Sequence, residues 1–143
     1  MPDILHNLTI QSSAENVYEV LTTPKGLAAW WTKSSSGRPE LGAEYKLFFS
    51  DEYDWRAIVL ENAENTKFML EITAADEYWT GTKVKFFLTR KGDSTNLQFE
   101  HKRWKETNDH FRVSSYCWAK YLRLLKKFIE EEVVVPYDER QNL

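Results

Sequence analysis

Residues 82–102 read TKVKFFLTRKGDSTNLQFEHK. Val84, Phe86 and Leu88 alternate with Lys83 and Lys85, and Leu97, Phe99 and His101 alternate with Gln98, Glu100 and Lys102. A period of two in both arms, joined by a short Gly- and Asp-containing segment, predicts two antiparallel strands, 82–90 and 95–102, with one apolar and one polar face. The same pattern runs upstream through 43–49, 54–61 and 66–73. It puts Tyr45, Leu47 and Phe49, then Phe68, Leu70 and Ile72, on the apolar side. Residues 55–60 are apolar on both faces, and we assign Trp55, Ala57 and Val59 inward. Connections this short admit only antiparallel neighbours, because a parallel crossover needs about a dozen residues.

Downstream, Asn108 opens a helix running to about Glu132. Phe111, Trp118, Tyr121, Leu122, Leu125 and Ile129 form one stripe, and Arg112, Lys120, Arg123 and Lys127 fall elsewhere. Upstream, Ile4, Leu8 and Ile10 alternate as a first strand. Ser12 and Glu15 have capping-box spacing before Val17, Tyr18 and Leu21, and Thr23-Pro24 starts a second short helix ending at Trp30-Trp31. Ser34 to Pro39 reads as a loop. The expected fold is α+β, a helix-grip: a curved six-stranded antiparallel sheet, two short helices after the first strand, and a long C-terminal helix over an apolar cavity. One helix is too narrow to tile the covered face of such a sheet, which leaves room for a hollow. The 143 residues are read as a single domain, with about 133–143 as a tail whose apolar Val133 to Val135 can add to an edge or a partner and whose end is polar and mobile.

Composition narrows the function. Six Trp, seven Tyr and eight Phe are enough rings to line a pocket or fill a core. A net charge of −3 offers no field for phosphates, so nucleic acid is not expected as a partner. No apolar run approaches membrane-spanning length, Met1-Pro2-Asp3 has no signal-peptide character, and a lone Cys117 fits a reducing compartment; the chain reads as cytoplasmic. His6, His101 and His110 lack metal-ligand spacing, so no metal or other cofactor is expected. No nucleophile elbow, phosphate loop or acid–base dyad is evident. The one candidate for proton transfer is His101, turned inward beside Trp104; its plainer reading is a neutral core histidine. Asp76-Glu77-Tyr78-Trp79 reads as a solvated loop with its rings folded back, or as a lid. Cys117 reads as a packing thiol.

Four segments carry a resemblance: Ser13 to Thr22, Thr23-Pro24 to Trp30-Trp31, Leu41-Gly42-Ala43-Glu44-Tyr45-Lys46-Leu47, and Trp118 to Leu122 with Leu125. In these the chain resembles the SRPBCC superfamily of START-like and polyketide-cyclase-like proteins, in the branch similar to the C-terminal domain of the activator of the heat-shock-protein-90 ATPase. It departs from the pattern at Cys117, where glycine is usual. The resemblance implies a pocket between sheet and C-terminal helix and often a homodimer, but no particular ligand. The leading expectation is binding of a hydrophobic small molecule, lipid-like or aromatic, without catalysis. Its cavity would be lined by Trp31, Tyr45, Leu47, Phe49, Trp55, Phe68, Leu70, Phe86, Phe99, His101, Trp118 and Leu122. The alternatives are a cyclase or aromatase using His101 and a co-chaperone-like, stress-response protein-interaction domain with a chaperone contact. The chain shows no separate N-terminal domain of the kind the eukaryotic activator uses, which ranks the co-chaperone reading below the ligand-binding one.

Overall fold

A computed structural model describes residues 1–142. Strand β1 (Ile4–Ile10) leads into helices α1 (Ala14–Thr22) and α2 (Pro24–Trp30). Strands β2 (Ser34–Ser36), β3 (Glu44–Phe48), β4 (Asp54–Ala63), β5 (Lys67–Ala74), β6 (Lys83–Lys91) and β7 (Ser94–Lys102) follow, then α3 (Asp109–Glu131) and a 3-10 helix (Tyr137–Asn142). The sheet order is β1-β7-β6-β5-β4-β3-β2, all antiparallel. The α+β helix-grip architecture is therefore the one expected, with seven strands in place of six. The extra strand is Ser34–Ser36, read from sequence as loop. It pairs with Lys46–Phe48, and its three serines carry no apolar alternation to betray it.

Local chemistry sets the element ends. The cap of α1 is Ser13, whose Oγ accepts from the Asn16 N–H at 3.2 Å; Ser12, the expected cap, instead accepts from the Asn16 side chain at 2.8 Å. Glu15 is free of the capping box and pairs with Arg90 across to β6. Thr23 Oγ accepts from Gly26 N at 3.1 Å with Pro24 in the first turn, where a missing N–H costs nothing. Asn108 Oδ1 accepts from Phe111 N at 2.9 Å, fixing the start of α3, and Glu132 in the left-handed region (φ 57°) ends it. A register shift between Val59 and Glu61 leaves Leu60 outside the pairing of β4 with β5. Ala57 and Val59 point inward and are buried, whereas Ile58 is half-buried and Leu60 exposed on the other face.

The inward residues of β3 to β7 face α3 along Trp118, Leu122 and Leu125, all buried. The tail, expected to end polar and mobile, turns back along the fold as far as Arg140, and Leu143 lies outside the described residues. Arg140, only 2% exposed, donates to the carbonyls of Val135 (3.0 Å), Ala28 (2.9 Å) and Thr32 (3.5 Å). Ala28 and Thr32 lie at the end of α2, where helix carbonyls lack internal partners and favour a cation.

Candidate functional site

Ten of the twelve residues expected to line the hollow are buried: Trp31, Tyr45, Leu47, Phe68, Leu70, Phe86, Phe99, His101, Trp118 and Leu122. Phe49 and Trp55 are half-buried at the end of the sheet near β2. The structure brings most of them together in one buried cluster. Trp118 lies at the junction of two closed circuits of rings. One runs Trp118, Trp79, Trp55, Phe49, Trp31 and back, with centroid separations of 5.7, 4.9, 5.1, 5.9 and 5.1 Å. The other runs Trp118, Phe99, Phe86, Trp30 and back, at 4.4, 5.4, 6.1 and 6.4 Å. These are contact distances for offset and edge-to-face rings. Five tryptophans, Trp30, Trp31, Trp55, Trp79 and Trp118, thus meet in the interior between the sheet and α3. Tyr45 sits apart, beside Phe68 at 5.6 Å, and its hydroxyl donates to Thr22 O at 2.6 Å; burial raises its pKa above the ordinary tyrosine value.

His101 is wholly buried in β7. Its Nδ1 accepts from the Trp118 indole N–H at 3.0 Å, and since an indole only donates, the ring proton must sit on Nε2. Nε2 then donates to Thr82 Oγ at 2.8 Å, and the Thr82 hydroxyl donates to Trp79 O at 2.5 Å. Every polar atom of the relay has a partner. Burial pushes the His101 pKa down to about 3, so the ring is neutral at physiological pH with neither a spare proton nor a free lone pair. These bonds brace the ring between Trp118 of α3 and Thr82.

Sequence reading missed Trp79 as a centre of this interior. Asp76 Oδ1 accepts from the N–H groups of Tyr78 (2.9 Å) and Trp79 (2.8 Å), turning the loop so that Trp79 enters the core and its indole donates to Ser114 Oγ at 3.2 Å. Tyr78 stays largely outside against His110, at 4.2 Å. Thr82 was legible in principle, since it shares the inward parity of Val84 and Phe86. Arg56 pairs with Asp54 at 2.6 Å. The indole N–H groups of Trp30 and Trp104 are buried without an acceptor. Among the described residues, no group of three or more His, Cys, Asp or Glu side chains is placed to hold a metal ion, and no helix is long and apolar enough to cross a membrane.

Grooves open on the outside of α3. One of about 520 Å³ runs between β1 and α3, lined by His6, Leu8, Ala119, Leu122, Arg123 and Lys126. Another of about 370 Å³ lies between α3 and the returning tail, at Tyr116, Lys120, Arg123, Leu124, Lys127 and Val135.

Residues 11–130 match the family described as Activator of Hsp90 ATPase homolog 1-like protein. No curated protein matches the chain. Among solved structures, the chain is 32% identical to Aha1 from Colwellia psychrerythraea, described as a dimer in solution; the match covers 92% of this chain and 98% of that one with a TM-score of 0.82. Two others share the fold at lower identity. The protein SSP2350 from Staphylococcus saprophyticus is 18% identical over 94% of this chain and 96% of its own, with a TM-score of 0.80. CalU16 from Micromonospora echinospora is 16% identical over 98% of this chain and 81% of its own, with a TM-score of 0.76. With the helix-grip topology and a match spanning most of its length, the chain belongs to the Activator of Hsp90 ATPase homolog 1-like family of the SRPBCC superfamily.

Proposed function

We propose that the chain is a binding domain without chemistry of its own, which acts through its outer surface on a protein partner, an ATP-hydrolysing chaperone of the Hsp90 class. The observation that carries this reading is the network of ring contacts around Trp118, with both nitrogens of His101 engaged within the protein. It is supported by the full-length similarity to the Colwellia Aha1. The partner would be met in a reducing cytoplasm, where Cys117 remains a thiol. By the same similarity the chain pairs with a second copy, which sedimentation velocity at micromolar concentration tests as a monomer-to-dimer shift. The decisive experiment is titration calorimetry and ATPase assay of an Hsp90-class chaperone with the purified chain. Saturable binding with a raised hydrolysis rate supports the reading, and absence of both at 100 µM chain, about the weak end of specific association, removes it.

A second reading, binding of a hydrophobic small molecule, is favoured by the unpartnered indole N–H groups of Trp30 and Trp104, which a carbonyl or hydroxyl of an apolar guest would satisfy once the rings part. A thermal-shift series with fatty acids, sterols and aromatic polyketides tests it: a stabiliser at saturation supports a guest, and uniformly unshifted melting rules one out.

A further inference from the structure

Helix α3 is uneven in charge. Between Arg112 and Lys127 it carries five cationic residues (Arg112, Lys120, Arg123, Lys126 and Lys127) and no acidic one, and the rest of the chain holds 14 basic against 22 acidic residues, a balance of −8. Lys126 is committed, donating to Thr9 O at 2.5 Å and pairing with Glu130 at 2.7 Å. Arg112, Lys120, Arg123 and Lys127 make no ion pair among the described residues. Lys120, Arg123 and Lys127 are three and four residues apart, hence neighbours on the outer face, where like charges repel and weaken the helix. A molecule whose net charge is negative thus concentrates unneutralised positive charge on one face of α3.

Apolar anchors lie within that strip. Tyr116 is 69% and Val113 60% exposed, and Tyr116 borders the groove of about 370 Å³ whose floor includes buried Leu124 and whose far wall is Val135. The strip is bounded by Asp109 at one end and Glu130 and Glu131 at the other. Sixteen residues at 1.5 Å each make it about 24 Å long and one helix wide.

We infer that this face of α3 docks an acidic amphipathic segment of a protein partner, its carboxylates meeting Lys120, Arg123 and Lys127 and an apolar side chain entering the groove beside Tyr116. Charge complementarity selects the acidic character, and the apolar anchors select a peptide over a bare polyanion, which the negative remainder of the molecule repels. The inference rests on the protein-binding reading above and adds the surface.

Two arms test it. In the first, a fluorescent 16-residue peptide of Glu and Leu at amphipathic helical spacing is titrated against the full chain, beside phosphatidylserine vesicles and a dT20 oligonucleotide. The peptide should bind and weaken with salt, and the charge reversal K120E/R123E/K127E should cut affinity about tenfold or more. Tyr116→Ala should do so about tenfold while leaving thermal melting unchanged. Undiminished peptide binding by the charge reversal, no peptide binding at all, or preference for vesicle or oligonucleotide overturns the inference. In the second arm the same variants are titrated against an Hsp90-class chaperone. Wild-type binding that survives the charge reversal overturns the α3 surface and leaves the chaperone reading standing; peptide binding through α3 with no chaperone binding by the wild type does the reverse.

Discussion

Gly26 occupies a place where no side chain fits: a Cβ there would stand far inside van der Waals contact with the backbone of Val20. Its φ is ordinary, so the constraint is the close approach of α1 to α2, and Gly26→Ala should cost about 1–3 kcal/mol through overpacking, read as a lower urea midpoint at unchanged slope. His101 gives a pH signature. Its pKa falls from 6.5 in the unfolded chain to about 3 in the fold, so its contribution is fully present above pH 6.5 and is lost progressively as pH falls toward 3. Urea titrations at pH 7, 5.5 and 4 should show wild-type stability declining in that window. His101→Phe should show a shallower decline, by the slope of one proton, though it starts from lower stability because Trp118 and Thr82 lose their partner. Equal slopes would mean that another group governs the acid response.

At the scale of elements, α3 was legible from end to end, because Asn108 announces its cap and the stripe from Phe111 to Ile129 repeats at 3.6 residues. The long strands were legible for the corresponding reason at period two. Strand β2 was not, since three serines say nothing about burial and its pairing is dictated by where α2 delivers the chain. Nor was the way the interior rings meet. Alternation named inward rings correctly, but whether rings line a space or occupy it depends on contacts between Trp118 of α3, Trp30 of α2, Trp31 just after it and Trp79 of a loop, none of which is local in sequence. This gives a direct experiment on the hub. Trp118→Ala should cost about 3–5 kcal/mol and open a cavity that small aromatic guests such as indole refill, restoring part of the lost melting temperature. Wild type should show no such rescue, and rescue of wild type would mean that the interior already holds free space.

Across the whole molecule, the returning tail ties the end of the chain to α2 through one buried guanidinium that pairs with no carboxylate among the described residues. Burial lowers the pKa of Arg140, while the Tyr137 ring at 5.3 Å and three carbonyls hold its charge. Arg140→Ala should cost about 1.5–3 kcal/mol, the range for hydrogen bonds to a charged group, and amide exchange of residues 133–140 should accelerate before that of the sheet. Simultaneous acceleration everywhere would show that the tail is integral to the global fold and not a separate clasp. The sheet order also has a consequence in time. Strand β1 pairs with β7, Ile4 opposite His101, so the first strand made must wait for one of the last. At about 5–20 residues per second of synthesis, the ribosome presents Ile4, Leu8 and Ile10 without their mate for roughly 5–20 seconds. Through that interval the apolar face of β1 stays open to solvent, and the sheet can close only after β7 has left the ribosome.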